Sequence, residues 1–457
     1  MTYTSVYPAT GELHARFDAL DAGEALRILE RSAGAFASWR RRSPGERARG
    51  LEPLAAALRG RAGDYARLIT LEMGKPIVEA RAEIEKCAAL ADAYARLAPA
   101  WLEDELVDAG GREHRVAFEP LGVILSIMPW NFPFWQAMRF AVPALLAGNA
   151  SLLKPARNTP RCALALAEVF LAAGFPEGLL QALLADHDTV ARLIADERVR
   201  GVSFTGGTEA GASIASLAGR HLKKAVLELG GSDPFIVLAD ADADFAAEGA
   251  VRGRMVNTGQ SCIAAKRFIL RREIAGPFTA RFVERMAALR VGDPLAETTQ
   301  VGPLVGEEAA REIEEQLAEA VARGARVLTG GARPRPGPFF APTVVGGVDS
   351  DMRIWREEVF GPIAPLLVVD TDEEAIALAN ASAFGLGASL WTRDEARGLE
   401  LSRSIEAGTV FVNSVVQSDP RMPFGGVKRS GLGRELSRYG LLEFCNIKGI
   451  SVYGHGA

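Results

Sequence analysis

The chain has 457 residues, which at roughly 150 per domain allows two or three domains with substantial cores and excludes a peptide hormone or a disulfide-stapled mini-protein. Its composition, 48% hydrophobic and 24% charged, is globular, and 57 acidic against 52 basic residues, well mixed along the chain, leave a net charge of -5. That balance gives no footprint for nucleic acid or an anionic membrane.

Residues 22–100 carry apolar positions at three- and four-residue steps, as in Leu54, Leu58, Tyr65, Leu68 and Leu71, and read as an amphipathic helical prelude. From residue 122 short apolar runs alternate with helical stretches: strands at 122–130 and 151–155, a helix at 161–173, strands at 180–185 and 201–205, a helix at 209–218 and a strand at 224–229. This is the βαβ pattern of a doubly wound nucleotide-binding unit. A second α/β series follows Gly230 and Gly231, with strands at 234–238 and 267–271 and helices near 245–255 and 276–289. Residues 333–342, rich in Pro and Gly, read as a loop, and 365–369, 388–392 and 409–413 as buried strands. The alternating tail, 445–453, reads as a strand with no partner nearby in sequence, of the kind that often pairs with another subunit.

The four cysteines, Cys87, Cys162, Cys262 and Cys445, form no C-x-x-C pair, and the five histidines are scattered. Neither set supplies a metal site, a disulfide framework or a Ser-His-Asp triad. With no leader pattern and no apolar window of the ~18 residues a membrane span needs, the expectation is a soluble, cytoplasmic protein.

Four short segments carry chemistry. Cys262 ends the run Asn-Thr-Gly-Gln-Ser-Cys, where small and polar residues let a ligand approach the backbone; the segment suits a nucleophile, although a free cysteine is also a common structural core residue. Glu228 is a lone carboxylate at the end of an apolar strand before two glycines, either a functional acid or one at a solvated strand end. Asn131 sits in the stiff turn Met-Pro-Trp-Asn-Phe-Pro-Phe-Trp, which aims its amide at a developing oxyanion or simply closes an Asx-turn. Residues 204–211, Phe-Thr-Gly-Gly-Thr-Glu-Ala-Gly, join a strand to a helix and suit a phosphate, without matching either common glycine fingerprint.

Six segments in order, 129–133, 204–211, 228–231, 259–262, 357–362 and 423–435, resemble the aldehyde dehydrogenase superfamily over nearly the whole chain, with a texture closest to its bacterial NAD(P)-dependent succinate-semialdehyde dehydrogenases. The resemblance implies an α/β fold: a Rossmann-type cofactor domain (1–101 and 121–229 with 430–444), an α/β catalytic domain (230–429) and a small β oligomerisation element (102–120 and 445–457), in a homodimer or homotetramer. It makes Cys262 the nucleophile that forms a thiohemiacetal and then a thioester, Asn131 with the Cys262 N–H the oxyanion hole, Glu228 the base for hydrolysis and Glu435 a proton relay. For the cofactor, NADP or NAD, it implies Lys154 at the adenosine ribose, Gly206, Gly207 and Gly211 at the pyrophosphate, Glu358 and Phe360 at the nicotinamide ribose, and Trp130, Leu229 and Gly230 among the contacting residues.

Two departures bear on specificity. Many NAD-using members carry a glutamate three residues after the lysine, where this chain has Arg157; a cation there tolerates or attracts a 2'-phosphate. Arg139, eight residues beyond Asn131, and Ser418 match the family's partners for a distal substrate carboxylate, but the second arginine some members carry is Val256 here. The expected substrate is therefore a small aldehyde, foremost succinate semialdehyde, with glutarate semialdehyde or lactaldehyde as alternatives. A CoA-acylating enzyme would not need Glu228, a cysteine hydrolase would need a histidine, and a scaffold would need none of the three catalytic groups. Ala264 stands where some members have a second, redox-active cysteine, so no disulfide switch is expected.

Overall fold

The computed structural model describes residues 2–454; the last three residues of the expected oligomerisation element lie outside the described residues. The helical prelude is a series of five helices, several of whose ends have a local cause. Asp21 and Ser43 open helices through capping boxes with Glu24 and Glu46, and Gly74, at φ 82°, closes the helix Ala62–Met73. Ahead of them is a β-hairpin, Thr2–Tyr7 with Glu12–Asp18, which sequence reading did not foresee.

The first large sheet has six strands in the order Gly431–Leu432, Lys224–Glu228, Val199–Thr205, Val123–Ile127, Ala150–Lys154 and Leu180–Ala182, parallel except for the first. Its central strands are buried along their whole length because both faces are covered. Register aligns their carboxyl ends: Ile127 faces Lys154 and Phe204, and Thr205 faces Glu228.

The second sheet has seven strands in the order Arg326–Thr329, Thr343–Gly346, Ile363–Val369, Ala265–Arg271, Asp233–Val237, Gly387–Trp391 and Thr409–Val412, again parallel except for the first. Alternation sends Ile236 and Ile269 into one core and Phe235, Val237 and Phe268 into another. Thr409–Val412, expected to be buried, is only half-buried because it forms the edge.

The tail strand Cys445–Val452 pairs antiparallel with Glu113–Pro120 of its own chain over eight residues, in a three-stranded sheet completed by Glu105–Leu106. It is an edge strand exposed along nearly all of its length.

Candidate active site

The cleft opens where the carboxyl ends of the six-stranded sheet meet loops entering the amino ends of the seven-stranded sheet. The first sheet contributes residues 129–131, 205–207 and 228–230; the second contributes Cys262, ahead of the strand Ala265–Arg271, and Glu357, Glu358 and Phe360, ahead of Ile363–Val369. Carboxyl ends of parallel strands are where such sheets bind ligands. Trp130 and Phe360 meet across it edge to face, 5.8 Å between centroids. The cavity measures about 470 Å³.

Asn131, Glu228 and Cys262 all line this cleft. Cys262 is held by an unusual backbone: Asn257, Thr258 and Gly259 have φ of 54°, 58° and 78°. Left-handed non-glycine residues cost ~1–3 kcal/mol each and persist only where surroundings over-determine them. Here Glu79 accepts the Asn257 N–H (2.7 Å), Thr258 Oγ1 accepts the Gly302 N–H (3.1 Å), and Arg254 donates to the Gly259 carbonyl (2.7 Å). Asn131 Nδ2 donates to the Gln260 carbonyl at 3.1 Å and Asn257 Nδ2 to the Asn131 carbonyl at 2.9 Å, so the amide and the nucleophile loop are fixed to each other. Among the described residues nothing accepts the backbone N–H of Cys262. Below the thiol, Lys266 is buried, donating to the Ser261 and Cys262 carbonyls (2.7 Å each) and pairing with Glu358 at 3.2 Å.

Burial pushes the Cys262 thiol up to about 11, against the opposing charges of Arg139 and Lys266. Glu228 is 3% exposed, both its oxygens lack a hydrogen-bond partner among the described residues, and its carboxyl is raised well above the ordinary range by burial and then by the negative charge of Glu435. A thiol that must lose a proton thus shares a cleft with a carboxyl tuned upward to take one. Glu435 lies behind Glu228, ion-paired with Arg139, and Ser203 donates to it at 3.4 Å.

Arg139 is not a lining residue of the cleft. It is 2% exposed, stacks on Phe424 with 4.5 Å from guanidinium to ring, and spends one edge on Glu435, while its Nη2 is buried without a hydrogen-bond partner among the described residues. Ser418 accepts a hydrogen bond from Lys86 Nζ at 2.7 Å.

Most of the residues expected at a dinucleotide divide between two cavities, while Arg157 and Gly211 line neither. Trp130, Gly206, Gly207, Leu229, Gly230, Glu358 and Phe360 line the cleft itself. Lys154 lines an adjoining groove of about 390 Å³ with Ile127, Phe204, Ile214 and Leu217. Gly206 donates its N–H to the Glu228 carbonyl, so it is the first-turn amides of the helix Thr208–Arg220, whose N-cap Gly207 makes no side-chain cap, that stand open to a phosphate. Gly211 is needed for contact: a Cβ there would lie 2.3 Å from Leu229 Cδ2. Lys154 is 7% exposed, lowered to about 8 by burial and by the neighbouring charge of the exposed Arg157. Thr205 Oγ1 and Gln136 Oε1, both at the cleft, are buried without partners among the described residues. Orphan polar atoms, open helix amides and an uncompensated cation fit a phosphate-bearing dinucleotide.

Sequence reading missed Glu79, Arg254, Lys266 and Gln136, and gave Thr205 no role of its own within the turn 204–211. It also missed the groove face that Ser213, Ile214 and Leu217 form with Ala210, whose three- and four-residue spacing was a usable signal.

A strand-end carboxylate, a loop-held thiol and a side-chain amide around one cleft, beside a nucleotide-type sheet, define an enzyme of nucleophilic thiol chemistry joined to dinucleotide binding. The chain belongs to the aldehyde dehydrogenase family, whose profile matches residues 1–450. It is 49% identical over 449 residues, 98% of this chain and 99% of the other, to a probable succinate-semialdehyde dehydrogenase [NADP(+)] of Synechocystis. It is 47% identical over 445 residues, 97% of this chain and 96% of the other, to the succinate semialdehyde dehydrogenase [NAD(P)+] of Escherichia coli. The crystal structure of succinic semialdehyde dehydrogenase from Streptococcus pyogenes in complex with NADP+ superposes with a TM-score of 0.96 at 37% identity, covering 99% of this chain and all of that one.

Proposed function

We propose that this enzyme oxidises succinate semialdehyde to succinate with NADP+ or NAD+. The observation that carries the reading is the meeting of Cys262, Asn131 and Glu228 in one cleft with the residues expected at the nicotinamide. Cys262 gives up its proton and its sulfur attacks the aldehyde carbon; the Asn131 amide and the Cys262 N–H receive the oxyanion. The bound dinucleotide supplies the hydride acceptor. Glu228 then takes a proton from the water that cleaves the thioester, releasing the acid and the thiol, and Glu435, electrostatically tied to Glu228, passes the proton outward. For the distal carboxylate the candidates are Arg139, set back from the cleft wall with Nη2 free of a partner among the described residues, and Ser418.

Arg157 beside Lys154 favours a 2'-phosphate, in keeping with relatives named for NADP. We assign the cofactor domain to 1–101, 121–229 and 430–444, the catalytic domain to 230–429 and the oligomerisation element to 102–120 and 445–457; the strands of the three larger sheets each fall within one of these sets. The exposed edge strand, with Ile447 62% and Val452 41% exposed, supports pairing with a second copy in a homodimer or homotetramer. Among the described residues no helix is long and apolar enough to cross a membrane, and four free thiols suit a reducing cytoplasm.

The test is reduced-nicotinamide absorbance with succinate semialdehyde, glutarate semialdehyde, lactaldehyde and butanal, each with both cofactors and with or without CoA. The expected result is the highest kcat/KM for succinate semialdehyde, independent of CoA. A preference for butanal refutes the substrate, and dependence on CoA refutes the hydrolytic step.

A further inference from the structure

Lys86, on the helix Ile77–Trp101, holds its ammonium 2.7 Å from Ser418 Oγ and 4.1 Å from the centroid of the Trp135 ring. Burial lowers it to about 8, and the positive charge of Arg139 pushes the same way. The acids around it are committed elsewhere. Glu83 accepts the N–H groups of Phe134 and Trp135 and pairs with Lys75; Asp419 is forked by Arg421; Glu435 is taken by Arg139. Lys86 is half-buried, and among the described residues it has no salt bridge, so its ammonium is free to pair with a ligand's negative charge.

Its surroundings say which ligand. Trp135 and Arg139 are one turn apart on the helix Trp135–Leu146 and share a face. Ser418 and Phe424 come from one loop, so Lys86, which touches Ser418 and Trp135, and Arg139, which stacks on Phe424, both meet this loop at the helix Trp135–Leu146. Gln136, the neighbour of Trp135 on this helix, lines the cleft together with Cys262, which brings the cationic corner up to the site. Two cations against the single carboxylate of Glu435 leave one positive charge over, matching one distal carboxylate. The Ser418 hydroxyl, accepting from Lys86, keeps its own O–H to donate.

Resting on the proposed carboxylated substrate, we infer that Lys86 is the second cation of the distal-carboxylate subsite, supplying from the helix Ile77–Trp101 the charge that Val256 does not, and that it sets the preference for succinate semialdehyde over uncharged aldehydes of the same length.

The experiment measures kcat/KM for succinate semialdehyde and for butanal with NADP+ in the parent, Lys86→Met and Lys86→Arg enzymes, with a thermal melt of each. A parent ratio of the two constants below about tenfold refutes the substrate reading itself. Given a larger ratio, Lys86→Met is expected to lower it about tenfold, the scale of a lost charged hydrogen bond, mainly through KM for succinate semialdehyde, and Lys86→Arg to hold it within about threefold. A fall of less than about fivefold in Lys86→Met overturns the role of Lys86 and leaves the substrate reading standing. A purely structural lysine would depress both substrates together and leave the ratio in place. If Lys86→Met gives no cooperative melt, Lys86→Gln, which keeps a donor to Ser418, is read by the same criterion.

Discussion

Glu228→Gln replaces a buried carboxyl by an amide of the same shape and separates two consequences of its environment. The amide cannot take a proton, so steady-state turnover should fall by about 10²–10⁴, or roughly 3–5 kcal/mol of barrier. The second consequence is thermodynamic. Burial, and then the charge of Glu435, raise the Glu228 carboxyl above its ordinary value, so the folded chain holds a proton that the unfolded chain has released. The stability this contributes is fully present below the ordinary carboxylate value of about 4.3 and is lost as pH rises toward the raised one, with a slope of at most about 1.4 kcal/mol per pH unit. Glutamine does not titrate and removes that slope. Thermal melts at about pH 5 and about pH 8 should therefore show Glu228→Gln gaining stability relative to the parent at the higher pH. Turnover on the parent should be lost as pH falls and the base is protonated. An offset in melting temperature that is the same at both pH values, or a variant with turnover within about tenfold of the parent, would refute the assignment of Glu228 as a buried, upward-tuned base.

Asn131→Ala should lower kcat/KM for aldehyde by about 10²–10³, with little change in cofactor affinity measured by fluorescence titration; a loss below about tenfold would remove its amide from the oxyanion site. Gly211→Ala would set a Cβ 2.3 Å from Leu229 Cδ2 and should cost about 1–3 kcal/mol in overpacking, seen as a lower melting temperature together with a higher KM for both cofactors. Arg157→Glu should reduce kcat/KM for NADP+ by more than about tenfold relative to NAD+; an unchanged cofactor ratio would make Arg157 a solvated loop residue.

The alternation of strands and helices from Val123 onward was legible because each element is a local pattern with a fixed period. The chemical motifs around Asn131, Glu228 and Cys262 were legible for the same reason, each being a continuous run of residues with distinctive steric or polar character, and family resemblance lent them roles. The N-terminal hairpin was not, since its two strands precede the regular alternation and carry no strong apolar run. Lys266 could be read as a lysine in a strand, but not as the group beneath the Cys262 carbonyl that also anchors Glu358. Glu79 bonds a residue 178 positions away, and Lys86 one 332 positions away. The sequence by itself determined which residues are chemically unusual, because reactivity and backbone freedom are written in short segments. Only the tertiary structure decided which of them meet, which carboxyls lose their solvent and which cations lack a counter-charge, because burial and charge balance are set by chain segments far apart in sequence.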